Sequence, residues 1–135
     1  MITAVDSSVL LAIFKGEPHV DRLIAQLEIF LSAGRLVICD VVAAEVGAFF
    51  DTHQEFASKL EALDIGYSPI EFKSAHHAGR IHREYRKRGG GRETMVPDFL
   101  IASHAANQAD QLWASDRGYF RAYFRSLKVV VPGQT

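Results

Sequence analysis

Four acidic residues in this chain stand where an acid is costly or unexpected. Asp6 closes the apolar run Ile2 to Val5 in "ITAVDSSVLL" and is followed at once by two hydroxyls. Glu45 is the only charged residue in "VVAAEVGAFF". Helical spacing surrounds it with Val41, Val42, Ala48 and Phe49, so its side chain is expected to aim inward. Asp98 falls in the first turn of "VPDFLIASHAA", where an acid also favours the helix dipole, and Asp116 directly follows the apolar stretch "LWAS". A carboxylate buried at the end of a strand needs a positive partner. If all converge, each adjacent pair repels by about 3 kcal/mol at an effective dielectric of about 20, and a divalent cation relieves that conflict. An all-oxygen set suits Mg²⁺, with Mn²⁺ able to substitute, because these ions keep several waters and take further ligands from substrate phosphate. Asp6, Glu45, Asp98 and Asp116 are therefore candidate holders of a divalent ion, which can activate a water and grip a phosphate.

Other chemistries fit less well. Six histidines occur, but His76 and His77 are adjacent, His19 and His53 stand alone, and no Cys or His pair has zinc spacing. His104, six residues after Asp98 on an apolar helix, reads as a hydrogen-bonded core histidine. Ser7, Ser8 and Ser115 lack the partners of a serine triad. The single cysteine, Cys39, follows Leu36, Val37 and Ile38 and reads as strand packing.

The elements that must position these acids alternate between strand and helix, the pattern of an α/β fold with a central parallel sheet covered on both faces. Strand Ile2 to Val5 is followed by a helix from about Ser7 to Phe14, and "KGEPH" breaks it before Pro18 starts another reaching about Leu31. "GRLVIC" is the second strand, after which Asp40 is placed to cap a helix through Phe50. A helix from Gln54 to Leu63, a short strand around Tyr67 to Pro69 and a helix from Glu71 to Arg88 follow, ending at the triple glycine 89–91. Pro97 opens a helix to Gln108, and "QLWAS" and "KVVVP" supply the last two strands. Active sites of open parallel sheets lie beyond the carboxyl ends of the strands, and Asp6 and Asp116 fall at such ends.

With 135 residues, 48% hydrophobic and 23% charged, the chain is expected to be one domain with a proper core. No basic stretch precedes an apolar N-terminal core, and no segment approaches the ~18 apolar residues of a membrane span, so the expected address is cytoplasmic. The net charge of −1 conceals an asymmetry: residues 1–79 carry −6 and residues 80–135 carry +5. In "GRIHREYRKRGGGR", Arg80, Arg83, Arg86, Lys87, Arg88 and Arg92 surround Tyr85; by composition alone this is a solvated helix face ending in a loop, and beside an acidic metal site it becomes a candidate RNA contact, with cations to neutralise phosphates and a ring for an unstacked base. Arg117, Arg121 and Arg125 recur every fourth residue among Tyr119, Phe120, Tyr123 and Phe124, aromatics expected in core or interface. Leu23, Ile24, Leu27, Phe30 and Leu31, with Phe49, Phe50 and Phe56, are divided between core and a partner surface, most of them core.

Taken in order, "AVDSSVLLAIF", "VVAAEV", "VPDFLIASHA" and "LWASDRGYF" resemble the four acid motifs of the PIN domain, and specifically of the VapC toxins of bacterial and archaeal toxin–antitoxin pairs. The likeness runs from Ile2 to about Val131. It implies a three-layer α/β/α sandwich and a metal-dependent endoribonuclease acting on transfer RNA or another structured RNA. Asp6 and Asp98 would be principal metal ligands, Glu45 the second-motif acid and Asp116 the fourth, with Ser8 and Ser115 as supporting hydroxyls and Arg117 beside the RNA-binding cations. The family often has Thr or Ser two residues before the fourth acid. Here that position is Ala114, with Ser115 next to it, which bears on the local hydrogen bond but removes no acid. A VapB-type antitoxin laid across the acidic pocket and a homodimer are also implied. Competing readings are a housekeeping PIN nuclease for RNA processing, a non-catalytic RNA-binding module, and an Mg²⁺-binding regulatory domain of the phosphoacceptor type. The last wants paired early acids and a lysine after the final strand, and this chain has neither.

Overall fold

The computed structural model describes residues 1–89, 96–115 and 122–133. Within them the elements run β1 (Ile2–Val5), α1 (Ser7–Phe14), α2 (Val20–Ala33), β2 (Arg35–Ile38), α3 (Asp40–Gly47), α4 (His53–Ala62), β3 (Ile65–Tyr67), α5 (Phe72–Lys87), α6 (Val96–Gln108), β4 (Gln111–Trp113) and β5 (Val129–Val130). All five strands are parallel, in the order β3-β2-β1-β4-β5, and with the helices they form an α/β/α sandwich.

The central strands are buried almost throughout, which is why β1 and β2 read as unbroken apolar runs rather than alternating ones. Two polar residues enter this core as a matched pair: Gln111 Nε2 donates to Thr3 Oγ1 at 2.9 Å between the neighbouring strands β4 and β1. The Trp113 indole N–H donates to buried Gln26 on α2 at 3.1 Å, and its ring lies edge-on to Phe30. On α6, Phe99, Ile101, Ala102 and Ala105 are buried; on α2, Leu23, Leu27 and Phe30 are.

Strand order decides where a site can form. From β1 the chain steps outward through β2 to β3, then crosses back over the sheet to β4 and β5. The right-handed rule for such crossovers sends connections that run in opposite directions along the sheet to opposite faces, so that both faces are covered. The switch falls between β1 and β4, and a crevice opens beyond their carboxyl ends. Asp6 and Ser115 sit at those ends.

Helices α5 and α6 pack antiparallel. The Ser103 hydroxyl donates to the Ser74 carbonyl at 2.5 Å near the start of α5, while Tyr85 near its end lies 5.5 Å from the ring of Phe99. Arg86, Lys87 and Arg88 therefore end beside the beginning of α6, which carries Asp98.

Element boundaries differ from expectation in four informative places. Asp40 does not cap α3: it is the first helical residue, Cys39 holds the cap position, and the Asp40 carboxylate accepts from Ile70 N–H at 3.2 Å. Helix α3 stops at Gly47 because Phe50 turns away to stack on Phe56 at 5.1 Å and meet Phe14 edge-on at 5.2 Å. Helix α2 begins at Val20, two residues after Pro18. Strand β3 is Ile65–Tyr67, since buried Ile65 pairs with Leu36 and Pro69 has no N–H to give the ladder.

Candidate active site

The crevice is furnished by a strand end, a helix start and one neighbouring helix. Asp6 is the N-cap of α1: its Oδ2 accepts from Ser8 N–H at 3.2 Å and from the Ser8 hydroxyl at 2.5 Å. The same hydroxyl oxygen accepts Ser115 N–H at 3.2 Å, so one serine joins the end of β1 to the end of β4. Ser115 thus contributes its backbone, and Ala114 in place of a hydroxyl leaves no unpaired buried group, because its N–H enters the ladder to Val130.

One residue earlier, the Ser7 hydroxyl donates to Glu45 Oε1 at 2.6 Å. Ser7 is the first residue of α1 and only 9% exposed, and it holds the acid of α3 against the strand end that carries Asp6. Sequence reasoning assigned it no role. The signal was there, in a second hydroxyl directly after Asp6, but its partner lies 38 residues away.

Glu45 does not aim into the core. It is exposed, because α3 buries Val42 and Val46, whereas Phe49, counted above among its apolar surroundings, is 47% exposed and Ala48 lies open as well. The carboxylate reaches sideways to the crevice. Asp98 is half-buried at the start of α6, followed by buried Phe99. Asp116, Arg92 and Arg117 lie outside the described residues, as do Arg121, Tyr119 and Phe120.

The donor chemistry fits a hard cation of a particular kind. After the serine contacts, Oδ1 of Asp6 and Oε2 of Glu45 have no hydrogen-bond partner among the described residues. Among those residues no three His, Cys, Asp or Glu side chains close on one point. Two carboxylates, each with one oxygen fixed and the other available, suit a hard divalent cation whose shell is completed by waters and substrate oxygens.

The cations predicted for RNA stand on one helix. Arg80, Arg83, Arg86, Lys87 and Arg88 are all exposed, and the single ion pair among the described residues is Lys73 with Glu71, at 3.9 Å. Tyr85 is no free platform for a base. It is half-buried, edge-on to Phe99 at 5.5 Å and to Tyr123 at 5.4 Å, because it sits on the face that α5 turns towards α6.

Two histidines are held neutral. Burial pushes His104 below the usual histidine range despite the nearby charge of Asp40, and its Nε2 lies 3.0 Å from the Ser68 hydroxyl. Burial, then the charge of Arg80, lowers His77. Cys39 is buried, which raises its thiol pKa and leaves it unreactive. Among the described residues no helix is long and apolar enough to cross a membrane.

Comparison with known proteins agrees with this layout. No curated protein matches the chain by sequence. Among solved structures, VapBC2 from Rickettsia felis bound to a DNA fragment from their promoter superposes with a TM-score of 0.77 at 20% identity, over 97% of this chain and 98% of that one. DNA-bound VapBC from Salmonella typhimurium gives 0.72 at 15% identity over 97% and 98%, and a toxin-antitoxin complex from Klebsiella pneumoniae gives 0.66 at 18% over 98% and 99%. At such identities the likeness is one of fold. The PIN domain family model matches residues 3–125, from the first strand past the last acid motif, and on that match the chain belongs to the PIN-domain family.

Proposed function

We propose that this chain is the toxin of a VapBC-type pair, an Mg²⁺-dependent endoribonuclease that hydrolyses RNA phosphodiester bonds and is neutralised by a VapB-type antitoxin. The observation that carries the reading is the pair of serine-held carboxylates, Asp6 and Glu45, at the crevice where the strand order reverses. Asp6, Glu45, Asp98 and Asp116 are the residues to hold the metal. When bound, the ion lowers the pKa of a water and offsets charge on the phosphate. The chain's own part is positioning: Ser8 fixes the Asp6 carboxylate, Ser7 fixes Glu45, and neither serine acts as nucleophile. Arg83, Arg86, Lys87 and Arg88 draw the phosphate backbone to the edge where α6 begins. Solved complexes of the same fold support a second polypeptide as partner, and a homodimer working in the cytoplasm is part of the reading.

The test is purified protein incubated with total RNA in Mg²⁺, in Mn²⁺ and in chelator, with Asp6→Asn beside the wild type. Discrete cuts that need the divalent ion and vanish in the variant are expected. Cuts that persist in chelator or in Asp6→Asn would overturn the mechanism.

A further inference from the structure

Two histidines of α5 flank its contact with α6, and they differ in what they meet. On one flank His77 Nδ1 and the Ser103 carbonyl each take Asn107 Nδ2 at 2.8 Å, and the Ser103 hydroxyl donates to the Ser74 carbonyl. On the other flank His82 is not satisfied. Its Nε2 is, among the described residues, the one buried side-chain nitrogen or oxygen without a hydrogen-bond partner, and its ring stands edge-on to Phe99 at 5.5 Å. A buried polar atom left unpaired lowers stability.

Gly79, three residues before His82, is a second departure from stability at the same place. It is exposed within a 16-residue helix, where alanine is the better helix former, and a β-carbon added to it meets nothing within 4 Å. Packing therefore does not require a glycine there, and what the missing side chain leaves is space. Gly79 and His82 border both a notch of about 130 Å³, walled by Ala75, Ala78, Phe99 and Leu100, and an open mouth of about 460 Å³ rimmed by Arg83, Arg86 and Lys87. Among the described residues no ion pair neutralises those three cations.

We propose that notch and mouth together bind a small aromatic carboxylate, its ring in the notch and one carboxylate oxygen on the N–H of His82 Nε2. Apolar cavities of about 150 Å³ take up benzene, and this notch is close to that size, with walls of Ala, Phe and Leu that offer a ring no polar partner. An imidazole carries its proton on either nitrogen, so an anion at Nε2 fixes it there as the donor. One buried donor serves one carboxylate oxygen, while the exposed Arg83, Arg86 and Lys87 offset the charge at the mouth. With the anion bound, the orphan nitrogen is paired and the open space at Gly79 is filled, so both departures from stability acquire a use. Such binding is independent of any nuclease activity.

The experiment titrates the isotope-labelled full chain with benzoate, acetate, benzyl alcohol and inorganic phosphate, following the backbone amide signals of Gly79, His82 and Leu100 by NMR. Benzoate is expected to shift them saturably with a Kd of about 1 mM or tighter, and acetate, benzyl alcohol and phosphate to bind at least about tenfold more weakly. Gly79→Leu, whose side chain enters the open space, is expected to abolish the shifts while the melting temperature is held or raised. His82→Phe keeps a ring against Phe99 and removes the nitrogen, so benzoate should fall to the affinity of benzyl alcohol while the protein becomes more stable. A benzoate titration without saturable shifts overturns the site, as does unchanged benzoate affinity in either variant. Equal binding of acetate or phosphate overturns it too, since the cations alone would then account for the affinity.

Discussion

Asp6 and Glu45 come from distant segments, and each has one oxygen fixed by a serine hydroxyl. Arg80, Arg83, Arg86, Lys87 and Arg88 come from one continuous stretch on α5 and its end, all exposed, and among the described residues none forms an ion pair with an acid. The acidic edge is thus assembled by the fold and held to within hydrogen-bond geometry, whereas the basic helix presents exposed charges already in order along the chain. Bond cleavage needs fixed oxygens; gathering a polyanion needs only a field that salt can screen. A mutation should therefore act on rate at the first region and on salt-dependent affinity at the second.

The sharpest way to break this contrast is at Asp6, which both caps α1 and carries the charge. Asparagine caps as well as aspartate, so Asp6→Asn is expected to keep the melting temperature while lowering cleavage by about a hundredfold or more. Asp6→Ala should lose the activity and about 1 kcal/mol of stability as well, read by denaturant titration. Equal stability loss in both variants would show that the charge also holds the fold.

At the basic helix, Arg83→Glu with Arg86→Glu should leave cleavage of saturating RNA intact while lowering the log–log salt slope of binding by about two. A fall in kcat instead would mean that the helix enters the chemistry. Ser7→Ala is expected to weaken Mn²⁺ binding by about tenfold, followed by the spectrum of the bound ion, and Ser7→Thr to restore it, because the hydroxyl orients Glu45. The smallest effect lies between the two regions, in buried His104 on α6. Its folded pKa is depressed, so its contribution to stability is whole above the unfolded value of about 6.5 and is lost as pH falls below it. Thermal melts between pH 7.5 and 5.5 should show this decline, and His104→Gln should flatten it.

Most of the scaffold was legible because its strands are short apolar runs bounded by Gly, Pro and acids, and its helices begin where those runs end. Asp6 could be read for the same reason: a carboxylate after a buried strand is conspicuous. What misled was local inference about facing. Glu45 has apolar neighbours in sequence, yet α3 turns only Val42 and Val46 inward; Tyr85 sits among arginines, yet packs against Phe99. The Ser7–Glu45 bond and the His77–Asn107 bond were illegible, since each joins residues 30 or more positions apart that strand order and helix pairing alone bring together.

Strand order also sets a schedule. β1 leaves the ribosome before the other four strands described, and one of its two neighbours, β4, is 108 residues behind at the Thr3 to Gln111 pairing. At synthesis rates of about 5–20 residues per second, that interval is on the order of 5–20 s. Until it closes, Ser8 cannot reach Ser115 and the crevice has a single wall. A nascent copy therefore lacks the assembled crevice until β4 has emerged, and under the toxin reading proposed above those seconds are the time in which a partner can arrive before any activity does.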